Sequence, residues 1–255
     1  MSDLYLFKNT LRDMARPGKL AAAALLIAVA VMVAVLNRAN AKPNEFDAVA
    51  AYNGISAILV FGFMLVILSG VFSTGIILQE IEQKTIPYLL TRPMPRWRIL
   101  LAKYLGVVLA TTLTIWIADI AVALALFGPA RLGASHLWKD MLILPVGAMA
   151  YSGLFMLLAS VFPKALLFGL AYAFVEPLLV QLGGDWSKIS LLSYLHALAP
   201  HLDAGDANLT TQALAVTDIP TWIAWTIVIM VILGSVGAAL VVFSTKEYIP
   251  QEDRA

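Results

Sequence analysis

Cysteine is absent from the 255 residues, which excludes disulfides, thiolate metal sites and cysteine nucleophiles. Charge is scarce: 13% of the residues are Asp, Glu, Lys or Arg, against roughly 25% in ordinary soluble domains. The net charge of +1 offers no basic face to a nucleic acid. No Gly-x-x-x-x-Gly-Lys-Ser/Thr phosphate loop occurs, so the chain itself does not bind nucleotide in that way. His136, His196 and His201 all fall between the apolar runs, leaving no histidine inside a span to act as a base. A soluble-domain linker, low-complexity tracts and internal repeats are missing too. Secondary transporters often repeat their two halves, so the lack of a repeat speaks against that class.

What remains is apolar. Hydrophobic residues make up 61% of the chain and the mean hydropathy is +0.86. A soluble core has no use for so much apolar surface, whereas a lipid-facing helix does. A span needs about 20 mostly apolar residues. Six runs qualify: Leu20–Leu36, Ile55–Leu78, Leu105–Phe127, Met141–Phe162, Ala165–Leu182 and Trp222–Phe243. The expected fold is therefore an all-α, integral membrane bundle of six transmembrane helices, forming one transmembrane domain over residues 1–255. Ala39-Asn40-Ala41 resembles a signal-peptide cleavage site, but the first run exceeds the roughly 7–15 residues of an h-region, and an uncleaved anchor is expected. Pro163 and Lys164 alone separate the fourth and fifth runs, which predicts a tight hairpin. With the amino terminus inside, twelve of the 17 Lys and Arg residues lie on the cytoplasmic side, so both termini are predicted to be cytoplasmic.

Three segments lie outside the runs. From Asp3 to Arg16, Leu4, Phe7, Leu11 and Met14 recur at helical spacing, with Lys8, Arg12 and Arg16 along another face. This predicts an amphipathic helix in the cytoplasmic interface, basic side toward anionic headgroups or an acidic partner. The external stretch 183–220 contains Asp185, Asp203, Asp206 and Asp218; Ser187 is a candidate cap for a short helix through Leu198 that dips into the outer leaflet. The third segment, residues 79–103, is a polar break. Glu80 and Lys84 sit one helical turn apart, Pro93 and Pro95 impose a rigid corner, and Arg96, Arg98 and Lys103 anchor the next span at the headgroups.

Glu80, Glu82, Thr85, Leu89, Leu90, Pro93, Arg96 and Lys103 together form a pattern, acidic-x-Glu-x-x-Thr-x-x-x-Leu-Leu-x-x-Pro-x-x-Arg followed by Lys. This resembles the segment between the second and third helices of ABC-2 type permeases, the membrane subunits of type-2 ATP-binding-cassette exporters. Lys84, where many members carry a small residue, and Pro87 inside the motif depart from the pattern. The resemblance implies a permease subunit that exports a substrate using ATP hydrolysed on a separate cytoplasmic ABC ATPase. It also implies a second permease chain, as a homodimer or with a related chain, in an inner (plasma) membrane of bacterial type. Glu80, Glu82, Thr85, Arg92, Arg96 and Arg98 would then be the ATPase-coupling surface, transmitting force without catalysing. The chain would be no enzyme and would carry no cofactor of its own, the ATP being bound by the partner.

Two carboxyls fall inside the runs. Asp119 and Glu176 each lie roughly 20 Å up their helices, at about 1.5 Å per residue, in the outer half. A charge at that depth costs at least about 2.5–3.5 kcal/mol without a partner or a cavity. Asp119 and Glu176 therefore face either one shared polar cavity, widened by Thr112 and Trp116 on the Asp119 face, or separate local hydrogen bonds. Glu176-Pro177 also reads as the end of the fifth helix. The alternative function is a proton- or ion-coupled secondary transporter using Asp119 and Glu176, and a more remote one is a membrane-embedded enzyme. Met141, Met149 and Met156 follow helical spacing, which packing explains more simply than copper. Tyr151-Ser152-Gly153 superficially resembles an intramembrane serine protease but lacks a base. The substrate is not legible.

Overall fold

The computed structural model describes residues 3–40, 46–82, 96–129, 132, 136–162, 165–182, 184–199 and 219–245. Among these, every regular element is helical. In chain order they are α1 (Asp3–Met14), α2 (Pro17–Asn40), α3 (Ala48–Ile55), a π-helical segment (Ser56–Met64), α4 (Leu65–Glu82) and α5 (Arg96–Phe127). Then follow α6 (Leu137–Val161), α7 (Ala165–Leu182), α8 (Gly184–Ser187), α9 (Leu191–Leu198) and α10 (Thr221–Thr245).

Among the described residues, five helices are long and apolar enough to cross a membrane: Pro17–Asn40, Ala48–Gly75, Trp97–Phe127, Leu137–Val161 and Thr221–Thr245. The fifth sequence run, Ala165–Leu182, forms the shorter helix α7, with its apolar stretch over Ala165–Val180. Most helices outrun the apolar runs at one end or both, because backbone hydrogen bonding continues through polar flanks that hydropathy stops at. Thus α5 takes in Arg96, Arg98 and Lys103, the cations that flank its apolar run.

The Ala48–Gly75 span is the centre of the bundle: 72% of its apolar window is buried, against 17% for α2 and 22% for α10. Small residues set the closest approaches. A Cβ added to Gly147 would stand 2.7 Å from Leu65 Cδ2, seating α6 against α4, and one added to Gly153 would stand 2.5 Å from Ser235 Oγ, seating α6 against α10. Gly70 packs on the Phe155 ring, whereas Gly234 meets nothing within 4 Å.

The helix contacts sort by end. At one end, α1 rests on α5 and Lys19 of α2 lies over Gly75 of α4. At the other, Arg38 of α2 donates to the Ala125 carbonyl of α5 at 2.9 Å, placing a cation on the carbonyl-rich end of a helix. The last turn of α4 and the first turn of α5 lie at the end that carries α1.

The stretch after α7 differs from its sequence reading. Ser187 closes α8 instead of capping a longer helix, and the cap position of α9 is Ser190. Leu191, Leu192 and Leu195 of α9 are buried against the bundle. The Pro163-Lys164 hairpin lies outside the described residues.

Candidate functional site

Near the end of the bundle opposite α1, four buried polar side chains from three regions converge. Tyr52 comes from α3, Ser56 from the first turn of the π-segment, Asp119 from α5 and Asp140 from the first turn of α6; all are 0% exposed. The Tyr52 hydroxyl lies 3.0 and 3.1 Å from the two Asp119 oxygens and 2.7 Å from Asp140 Oδ2. Ser56 Oγ reaches both carboxyls at 3.4 Å. Tyrosine has one hydroxyl hydrogen, so it donates to one carboxyl, and the contact with the other closes only if that carboxyl brings a hydrogen itself. The first turn of α6 is a favourable place for Asp140, because the amino-terminal end of a helix carries partial positive charge.

Glu176 belongs to a second network. Its Oε2 accepts from Tyr151 at 2.8 Å; its Oε1 accepts from Tyr172 at 3.0 Å, Ser190 at 3.2 Å and the Leu192 backbone N–H at 2.9 Å. Four donors match what one carboxylate accepts. Leu192 is the second residue of α9, whose first N–H groups have no partner within the helix. Ser190 makes no side-chain cap bond to that helix. Glu176 supplies the cap from α7 instead and brackets the α8–α9 segment to the bundle. Pro177 does not end α7, which runs on to Leu182.

At the α1 end the chain makes a mechanical joint. A Cβ on Gly106 of α5 would stand 2.7 Å from Thr10 Cγ2 and 2.9 Å from Thr10 Cβ, so α1 lies on α5 with no room for a side chain between them. Two residues before Gly106 on α5, the Tyr104 hydroxyl donates to the Met149 carbonyl of α6 at 2.9 Å. Force applied to α1 or to the start of α5 thus reaches α6.

The model of the ABC-2 family transporter proteins matches residues 17–179, from the start of α2 into α7. The chain belongs to the ABC-2 transporter family. Membership gives it a membrane setting and implies an ATPase partner. No curated protein matches the chain. The elements outside the match, α1, α8, α9 and α10, pack against helices within it.

Several residues of this ABC-2 protein lie where the sequence reading did not bring them together. Asp119 and Glu176 share no hydrogen-bond partner and sit in separate networks. Of the Asp119 face, Trp116 donates to the Met141 carbonyl at 3.0 Å, while the buried Thr112 hydroxyl has no partner. Asp140 was missed: it stands one residue before an apolar run and reads as a flanking charge. An acidic residue in a first helical turn, level with Asp119, was the available signal.

Of the residues that the sequence offers as a coupling surface, Arg98 is exposed near the start of α5. Glu80 and Glu82 lie in the last turns of α4 and Arg96 opens α5, their side chains outside the described residues; Thr85 and Arg92 are outside them altogether. His196 lies 3.3 Å from the Ala57 carbonyl in the π-segment, His136 precedes α6, and His201 is outside the described residues. Among the described residues no group of three His, Cys, Asp or Glu is placed to hold a metal. Met149 is partly exposed whereas Met156 is buried in a packed cluster, which suits packing. The Ser152 hydroxyl is buried and has no hydrogen-bond partner among the described residues.

Removing the Glu176 bracket should free the external segment. Glu176→Ala is expected to cost about 1–3 kcal/mol, the penalty for buried donors left unpaired. Hydrogen exchange should show faster exchange confined first to residues 184–199; unchanged protection there would contradict the bracket.

Proposed function

We propose that this chain is the permease subunit of an ATP-driven exporter. The observation that carries the reading is the joint at Thr10 and Gly106, which ties α1 to the helix that leaves the 79–103 connection. A cytoplasmic ABC ATPase docks on Glu80, Glu82, Thr85, Arg92, Arg96 and Arg98 together with α1, and its ATP-dependent closure moves α5 and, through it, α6. The ATP is bound by the ATPase chain. The permease has six spans, α7 serving as the fifth, with both termini cytoplasmic. It works as a homodimer or with a related chain in the inner membrane of a bacterial cell, as a single domain over residues 1–255.

Co-purification tests the docking assignment. The ATPase is expected to copurify with the wild type and to be lost with Arg96→Glu. Equal recovery with both forms would remove the coupling role from this loop.

A second reading, coupling to protons, is favoured by one observation: a single tyrosine hydroxyl bridges two buried aspartates. On this reading the carboxyls are Asp119 and Asp140, with Glu176 serving as a bracket. Transport driven by a proton gradient in the absence of ATP would establish it over the first.

A further inference from the structure

At the elbow between α1 and α2, a lysine is buried without an acceptor. The Lys19 ammonium nitrogen is sealed from solvent and has no hydrogen-bond partner. Its stem crosses Gly75 of α4, where a Cβ would stand 3.5 Å from Nζ and 3.6 Å from Cε. An ammonium has three donors and no acceptor, and its burial is strongly unfavourable unless an anion meets it. Among the described residues, Asp13 is the carboxylate that acts on Lys19, and it is already paired with Arg16 at 2.6 Å.

The surroundings indicate what the missing anion is. The elbow is open: Gly18, next to Lys19, has nothing within 4 Å of its side-chain direction. Arg16, three residues before Lys19, is exposed. Immediately beyond Lys19, α2 presents an apolar stripe to the outside, with Leu20 52% and Leu25 66% exposed. Trp97, half-exposed at the start of α5, suits the headgroup level of a membrane. A free phosphate would use the cations alone, whereas a phospholipid uses the cations and the stripe together.

We propose that the α1–α2 elbow binds an anionic phospholipid of the leaflet in which α1 lies. Lys19, turning outward on its four-carbon stem, and Arg16 receive the phosphate, and the acyl chains run along Leu20 and Leu25. The site does not depend on ATPase docking.

Native mass spectrometry of the full-length permease with phosphatidylglycerol and phosphatidylcholine tests it. The wild type is expected to retain the anionic lipid over the zwitterionic one by about fivefold or more, the factor matching ~1 kcal/mol per basic residue near an anionic surface. Lys19→Met should bring the ratio close to unity, Lys19→Arg should keep it, and Lys8→Met should leave it nearly unchanged. Arg16→Gln, at an exposed position, should lower the ratio and serves as the second variant if Lys19→Met fails to fold. Absence of preference in the wild type, or full preference in Lys19→Met, overturns the site. Displacement of the lipid by inorganic phosphate at equal charge overturns the lipid assignment in favour of a free-anion site.

Discussion

Gly106→Val is expected to lift α1 off α5 and to lower ATP-driven transport at least about tenfold, with the membrane bundle still inserted. At this position even a Cβ would stand 2.7 Å from Thr10 Cγ2 and 2.9 Å from its Cβ. Thr10 is β-branched, and its limited χ1 freedom leaves little room to turn aside. The backbone of one helix must therefore move. Overpacking of this kind costs about 1–3 kcal/mol, and a shift of about 1 kcal/mol is already severalfold in a conformational equilibrium. Because α1 lies at one end of the bundle, the damage should be confined to the joint. Transport in proteoliposomes containing the ATPase reads the loss, and cross-linking between cysteines introduced on α1 and α5 reads the separation. Thr10→Gly should restore part of the function in the double variant, since the two residues share one contact. Normal transport by Gly106→Val would take α1 out of the force path.

Tyr52→Phe is expected to be the most destabilising single-atom change in the chain. Removing the hydroxyl leaves two buried aspartates facing each other, with Ser56 Oγ at 3.4 Å from each. One carboxyl loses the tyrosine hydrogen and the other loses the oxygen its own hydrogen met, at about 1–3 kcal/mol for each buried group left unpaired. Asp140→Asn should behave oppositely. Its amide supplies the hydrogen that the Tyr52 contact needs, so Tm should stay near that of the wild type or rise. Thermal unfolding of the purified permease compares the two. If Tyr52→Phe unfolds at the wild-type temperature, or Asp140→Asn falls as far as Tyr52→Phe, the shared-hydrogen arrangement is wrong.

Much of the architecture was legible because membrane helices announce themselves locally. Leu20–Leu36 and Trp222–Phe243 are uninterrupted apolar runs, and each lies inside an observed helix, α2 and α10. The amphipathic start was legible through the spacing of Phe7, Leu11 and Met14, and α1 forms there. The loop motif of Glu80 to Lys103 pointed to the family that the match over residues 17–179 shows. Helix ends were less legible, since hydropathy marks where lipid contact stops and not where hydrogen bonding stops.

The buried polar groups were only half legible. Asp119 and Glu176 were conspicuous because a charge in an apolar run has few explanations. Their partners were not, because each hydrogen bond joins residues far apart in sequence: Tyr52 to Asp119 and Asp140, Tyr151 to Glu176. Asp140 was hidden by its position at the edge of a run, where a charge is ordinary.

The sequence alone determined the solvent, the class and the end of the molecule to look at: lipid, helices, and the charged proline-bearing connection after the second apolar run. Those follow from composition and short-range pattern, which folding does not alter. Which carboxyls meet, which glycine admits α1, and which lysine is left without an acceptor were decided only by the tertiary structure. Each depends on a close approach between helices, and helix packing turns on whole side-chain surfaces that no local window of residues contains.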